Sequence, residues 1–103
     1  GMPYALMHGA TGTLLSRMQV NGYGLSYYGI LLWEDAPDPD QVKAALQAAG
    51  LAPDDPASGR PEAWEALKLT EHEAKMANVK LRNDPRRVAV YRNGVVEASA
   101  ARE

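Results

Sequence analysis

A chain of 103 residues, 46% apolar and 23% charged with a net charge of −2, has the length and composition of one ordinary domain. It is too short for two domains and too apolar for a disordered segment. The absence of cysteine excludes disulfides, thiol nucleophiles and thiolate metal sites, and fits a reducing, cytoplasmic setting. Abundant alanine, with 7 arginines against 4 lysines, suggests a GC-rich bacterial gene. No apolar run approaches the roughly 18 to 20 residues that a bilayer crossing needs. Gly1-Met2-Pro3-Tyr4 also lacks the basic start and apolar stretch of a signal peptide, so no membrane partner is expected.

The N-terminal third predicts strands near 3–8, 13–20 and 23–34. In the last of these, Tyr27, Gly29, Leu31 and Trp33 alternate with Tyr28, Ile30 and Leu32. Both faces are apolar, the pattern of a central or interface strand. The segment 13–20 fits two templates. As a helix it gathers Leu14, Leu15 and Met18; as a strand it alternates Leu14, Ser16, Met18 and Val20 against their neighbours. An Asn21-Gly22 two-residue turn favours the strand, because it sets Val20 against Tyr23, Met18 against Leu25, Ser16 against Tyr27 and Leu14 against Gly29.

Asp38, Pro39 and Gln41 supply an N-cap, a first helical residue and a capping-box acceptor. Val42, Ala45, Leu46 and Ala49 then repeat at helical spacing up to Gly50, which predicts a helix over 39–49. Residues 51–60 carry three turn-forming prolines and glycines with almost nothing to pack, and read as a loop. Pro61 opens a second helical region, 61–78, with Trp64 and Leu67 on its apolar side. Thr70 and Glu73 form a capping box that could restart it, so one bent helix and two short ones both fit. The alternation from Val88 to Arg92, the Asn93-Gly94 turn and Val95-Val96 predict a type I′ hairpin over strands 86–92 and 95–100. The expected fold class is α+β: an antiparallel sheet of about five strands with two helices packed on one face.

No motif predicts chemistry. Gly9-Ala10-Thr11-Gly12 after an apolar run, with Glu34-Asp35 further on, matches the start of a dinucleotide-binding unit. Leu15 stands where its third glycine should be, which blocks close helix–strand packing. A turn between strands explains the glycines better. His8 and His72 lie far apart in sequence, and the acids flanking His72 point away from it on a helix. Ser16 and Ser26 have no adjacent base and fit no nucleophile motif. Accordingly no catalytic residue, metal or cofactor is expected, and a non-enzymatic role is favoured.

Charge is unevenly spread. Residues 34–73 hold ten acids and three bases, whereas Lys75, Lys80, Arg82, Arg86, Arg87 and Arg92 face only Asp84 across 75–92. Nucleic-acid binding by Lys80, Arg82, Arg86, Arg87 and Arg92 is therefore an alternative. It is not favoured, because the pI is near 5.7 and nucleic-acid modules are usually strongly basic. The leading expectation is an interaction module. Two helices on one face would leave Tyr28, Ile30 and Leu32 uncovered on the other, and a second copy is the commonest cover for such a face. A third reading places a small-molecule site at His8, Tyr27 and the 51–60 loop.

Overall fold

The structure, a computed structural model, describes residues 1–51 and 59–100. The predicted loop therefore lies mostly outside the described residues. In chain order the elements are β1 (Tyr4–His8), β2 (Ser16–Val20), β3 (Ser26–Ile30), α1 (Pro39–Ala48), a single 3-10 turn (Pro61–Ala63), β4 (Trp64–Lys68), α2 (Glu71–Leu81), β5 (Arg87–Arg92) and β6 (Val95–Ala100).

The class is α+β, but the six strands form three antiparallel pairs, β1–β4, β2–β3 and β5–β6, in place of one five-stranded sheet. Isolated bridges from Tyr4 to Trp33, Met7 to Leu14 and Thr13 to Val90 sew the pairs together. Residues 12–15 are the seam. Leu15 N donates to Leu6 O (2.9 Å), Leu14 N to Ala89 O (2.9 Å) and Tyr91 N to Gly12 O (2.9 Å).

The expectation of two helices on one face is corrected by the packing. One buried cluster joins Ala5, Leu14, Ile30 and Ala89 to Ala74, Ala77 and Leu81 of α2. A second joins Leu6, Leu15 and Leu31 to Ala45 and Leu46 of α1. Consecutive strand residues (Ala5 and Leu6, Leu14 and Leu15, Ile30 and Leu31) thus divide between the two helices. Side chains alternate across a strand, so the helices cover opposite sides of the strand layer. This accounts for a β3 region apolar on both faces.

The helix ends follow their sequence signals. Gln41 N donates to Asp38 Oδ1 (2.8 Å) and Asp38 N to Gln41 Oε1 (2.9 Å), closing the first capping box. Thr70 and Glu73 close the second at 3.0 and 2.8 Å. Gly50 follows α1 at φ +79°, and Arg82 caps α2 at φ +56°. Asn93 and Gly94, at φ +52° and +77°, join β5 to β6 with Arg92 opposite Val95.

Two local expectations fail. After Pro61 only the 3-10 turn to Ala63 is helical before Glu71; Trp64–Lys68 is a strand on β1, with His8 opposite Trp64 and Tyr4 opposite Lys68. Residues three apart share a helix face but take opposite faces of a strand. Leu67 accordingly packs against the α2 cluster and Trp64 against the α1 cluster.

The β2–β3 hairpin forms, but its register slips by three. Val20 faces Ser26, Met18 faces Tyr28 and Ser16 faces Ile30. Asn21 is the start of the turn and not its centre. Its Oδ1 accepts from Tyr23 N (2.9 Å) and Leu25 N (3.1 Å), Gly24 N donates to Asn21 O (3.0 Å), and Gly24 adopts φ +76°. This is a three-residue loop closed by a left-handed glycine. The outer edge of β3 is held by asparagines of α2 and its cap, Ile30 N donating to Asn78 Oδ1 (2.9 Å) and Tyr28 N to Asn83 Oδ1 (2.6 Å).

Candidate functional site

The seam opens into the cleft with the best mix of apolar wall and polar groups among the described residues, about 430 Å³ in volume. His8 reaches it from the end of β1, Thr11 and Thr13 from the following turn, and Ser16 and Tyr28 from β2 and β3. Leu14, Leu15, Leu51, Trp64 and Val88 supply its apolar wall. An apolar cavity of this size with a few convergent polar groups has the makeup of a small-molecule site.

The polar groups are ordered by one another. Thr11 Oγ1 donates to Thr13 Oγ1 (2.8 Å) and accepts from Thr13 N (3.2 Å). Thr11 Oγ1 also lies 3.0 Å from His8 Nδ1, a contact in which either group can supply the proton. Trp64 meets the imidazole edge-on, with ring centroids 5.1 Å apart at 65°. Burial pushes the Tyr28 hydroxyl above the usual tyrosine range, an effect that its hydrogen bond with Ser16 partly offsets. Ser16 Oγ in turn donates to Leu14 O (3.0 Å).

Among the described residues no group of three or more His, Asp or Glu side chains could hold a metal ion.

The residues singled out in the sequence are scattered. Of the proposed small-molecule set, His8 and Leu51 converge on the cleft, while the Tyr27 hydroxyl donates to Gln19 Oε1 (3.3 Å). Tyr28 takes its place, since the register shift exchanges the faces of β3. Ile30, proposed for self-association, is 1% exposed in the α2 cluster and lies under the chain's own helix. Tyr28 is half-buried and Leu32 is 39% exposed. His72 sits on the exposed side of α2.

Four of the five basic side chains named for nucleic-acid binding make side-chain contacts within the chain. Lys80 Nζ donates to Val96 O (2.6 Å), Arg87 to Lys80 O and Ala98 O (3.0 and 3.2 Å), and Arg92 to Thr11 O (3.3 Å). Arg86 pairs with Asp84 through two nitrogens (3.1 and 3.0 Å), which holds the Asp84 carboxyl below the usual carboxylate range. Arg82 is exposed at the end of α2. Backbone carbonyls take most of these contacts.

Sequence reading missed Thr11, Thr13, Trp64 and Val88 as cleft residues. A threonine pair directly after His8 was the one local signal for them. Comparison with protein-family models, with characterised proteins and with solved structures finds no match for this chain, so the functional argument rests on the cleft's own chemistry. Among the described residues no helix is long and apolar enough to cross a membrane.

Proposed function

We propose that this protein is a small-molecule binding module, non-catalytic, whose ligand is a largely apolar molecule bearing a neutral hydrogen-bonding group. The carrying observation is the convergence of His8, Thr11, Thr13, Ser16 and Tyr28 on a cleft walled by Leu14, Leu15, Leu51, Trp64 and Val88. Among the described residues the cleft lining includes no Asp, Glu, Lys or Arg, which favours a neutral ligand, because burying an unpaired charge is costly. A cysteine-free composition supports a cytoplasmic location for this activity.

Fragment binding followed by amide and indole NMR shifts tests the reading. Neutral aromatic fragments should perturb His8, Thr13, Ser16 and Trp64 together. Val88→Trp, which fills the cleft, should abolish the response while leaving the fold intact. Shifts that gather elsewhere, or persist in Val88→Trp, defeat the proposal.

A second reading, self-association, keeps support from a different surface. On the β2–β3 hairpin, Val20, Tyr23 and Leu25 are 67%, 89% and 63% exposed. Exposed apolar side chains gathered at one hairpin end are the kind of feature that marks a partner surface. Nucleic-acid binding draws less support, because four of the five side chains it needs already make contacts within the chain.

A further inference from the structure

A second opening, about 320 Å³, lies against α1; it shares no lining residue with the first cleft, although Arg17 and Ala48 are chain neighbours of Ser16 and Ala49 there. Leu31, Leu32 and Trp33 form one wall and Ala45 and Ala48 of α1 the other, with Arg17 of β2 lining the same groove. Its volume is at the lower end for small-ligand sites, roughly 300 to 1,000 Å³. Among the described residues every lining side chain other than Arg17 is uncharged.

Arg17 is the unusual member. Its Nε is buried with no hydrogen-bond partner, and its Nη1 makes one long contact, 3.4 Å to Met18 O. The ion pairs among the described residues are Gly1 with Glu71 and Arg86 with Asp84, so no described carboxylate answers this guanidinium. Neighbouring Gln19 does not serve it either: its amide nitrogen is committed to Gly29 O and Ile30 O (3.0 and 3.2 Å), and its oxygen accepts from Tyr27. A buried donor left unsatisfied is destabilising, and a guanidinium is shaped to take a carboxylate through two parallel hydrogen bonds.

We infer that this groove binds a monocarboxylate with an aliphatic tail, its carboxylate on the Arg17 guanidinium and its tail along Leu31, Leu32, Trp33 and Ala48. The two requirements, one fixed positive charge and a trough whose other described lining is uncharged and, apart from Gln41, apolar, select an amphiphilic acid over a phosphate, which would call for more donors. They also select it over a neutral lipid, which would leave Arg17 unanswered.

The chain contains two tryptophans, one in each opening, and this gives the test its readout. Octanoate is titrated into the intact protein while both indole resonances are followed, with octanol as the uncharged counterpart. Saturable movement of the Trp33 indole is expected, with octanol at least tenfold weaker. Arg17→Met should bring the two ligands to equal, weak binding. Ala48→Leu, which narrows the groove from the exposed side of α1 and keeps Arg17, should weaken both.

Octanoate binding that matches octanol, or that survives Arg17→Met, overturns the inference. So does movement of the Trp64 indole alone, which would place the acid in the first cleft. No saturable response, with Arg17→Met folded and at least as stable as the parent, would show that solvent alone satisfies the guanidinium and would also overturn it.

Discussion

Gly12 shows how one residue can hold the seam. It adopts φ +78°, and a Cβ built there would lie 2.5 Å from Tyr91 O, the carbonyl of the strand to which Gly12 is hydrogen-bonded. Gly94 has nearly the same φ, +77°, but an added Cβ meets nothing within 4 Å. Both positions carry the left-handed penalty of about 1 kcal/mol, and only Gly12 adds a backbone clash. Gly12→Ala should therefore lower the urea midpoint clearly more than Gly94→Ala. Equal losses would mean that the seam tolerates being spread.

Tyr28 gives a pH prediction. Its hydroxyl titrates higher in the folded chain than in the unfolded one because of burial. The folded state therefore holds the proton more tightly, and the associated stability is intact below the unfolded tyrosine pKa of about 10. It is lost as pH rises past that value. Denaturation series at neutral and alkaline pH should show a steeper alkaline loss for the parent than for Tyr28→Phe. Parallel curves would contradict the assignment.

At the scale of elements, the two capping boxes make separable predictions. Asp38→Ala and Thr70→Ala each remove a side-chain acceptor for a helix N–H, a loss of about 1 kcal/mol in typical hosts. The buried residues of α2 (Ala74, Ala77 and Leu81) sit in a cluster that includes Ile30, Ala89 and Val96, whereas α1 packs Ala45 and Leu46 into the smaller cluster. Amide exchange should therefore show α1 opening more easily than α2 in the parent, and more so in Asp38→Ala. Uniform protection of both helices would argue against two separate clusters.

The same scale explains why helices and turns were legible while the strand pairing was not. Asp38, Pro39, Gln41 and Gly50 act within a few residues of one another, as do Thr70 with Glu73 and Asn93 with Gly94. The register of β2 on β3 depends instead on Asn78 and Asn83, which capture Ile30 N and Tyr28 N from about fifty residues away. β4 was misread because Trp64 and Leu67, three apart, fit one helix face as readily as they fit two clusters on opposite sides of a strand.

At the scale of the whole molecule, the argument for self-association changes its ground. An uncovered face bearing Ile30 does not exist, since α1 and α2 take opposite sides. Ile30→Asp should therefore disrupt the fold of a single copy, by inserting an unpaired charge into the α2 cluster. The test moves to the hairpin tip. If the chain self-associates there, light scattering should give the mass of a dimer for the parent and of a monomer for the double variant Val20→Lys, Leu25→Lys. A monomeric parent at high concentration would remove the second reading and leave the cleft as the functional surface.

The sequence by itself determined the class, the two capped helix starts, the type I′ hairpin and the presence of strands in the N-terminal third, because each rests on backbone preferences and hydrogen bonds between near neighbours. Only the tertiary structure decided which side each helix covers, which face of β3 carries Tyr28, and that His8, Ser16, Trp64 and Val88 meet. These are contacts between residues far apart in the chain. They follow from how two apolar clusters share the alternating side chains of the same strands, and no local pattern encodes that division.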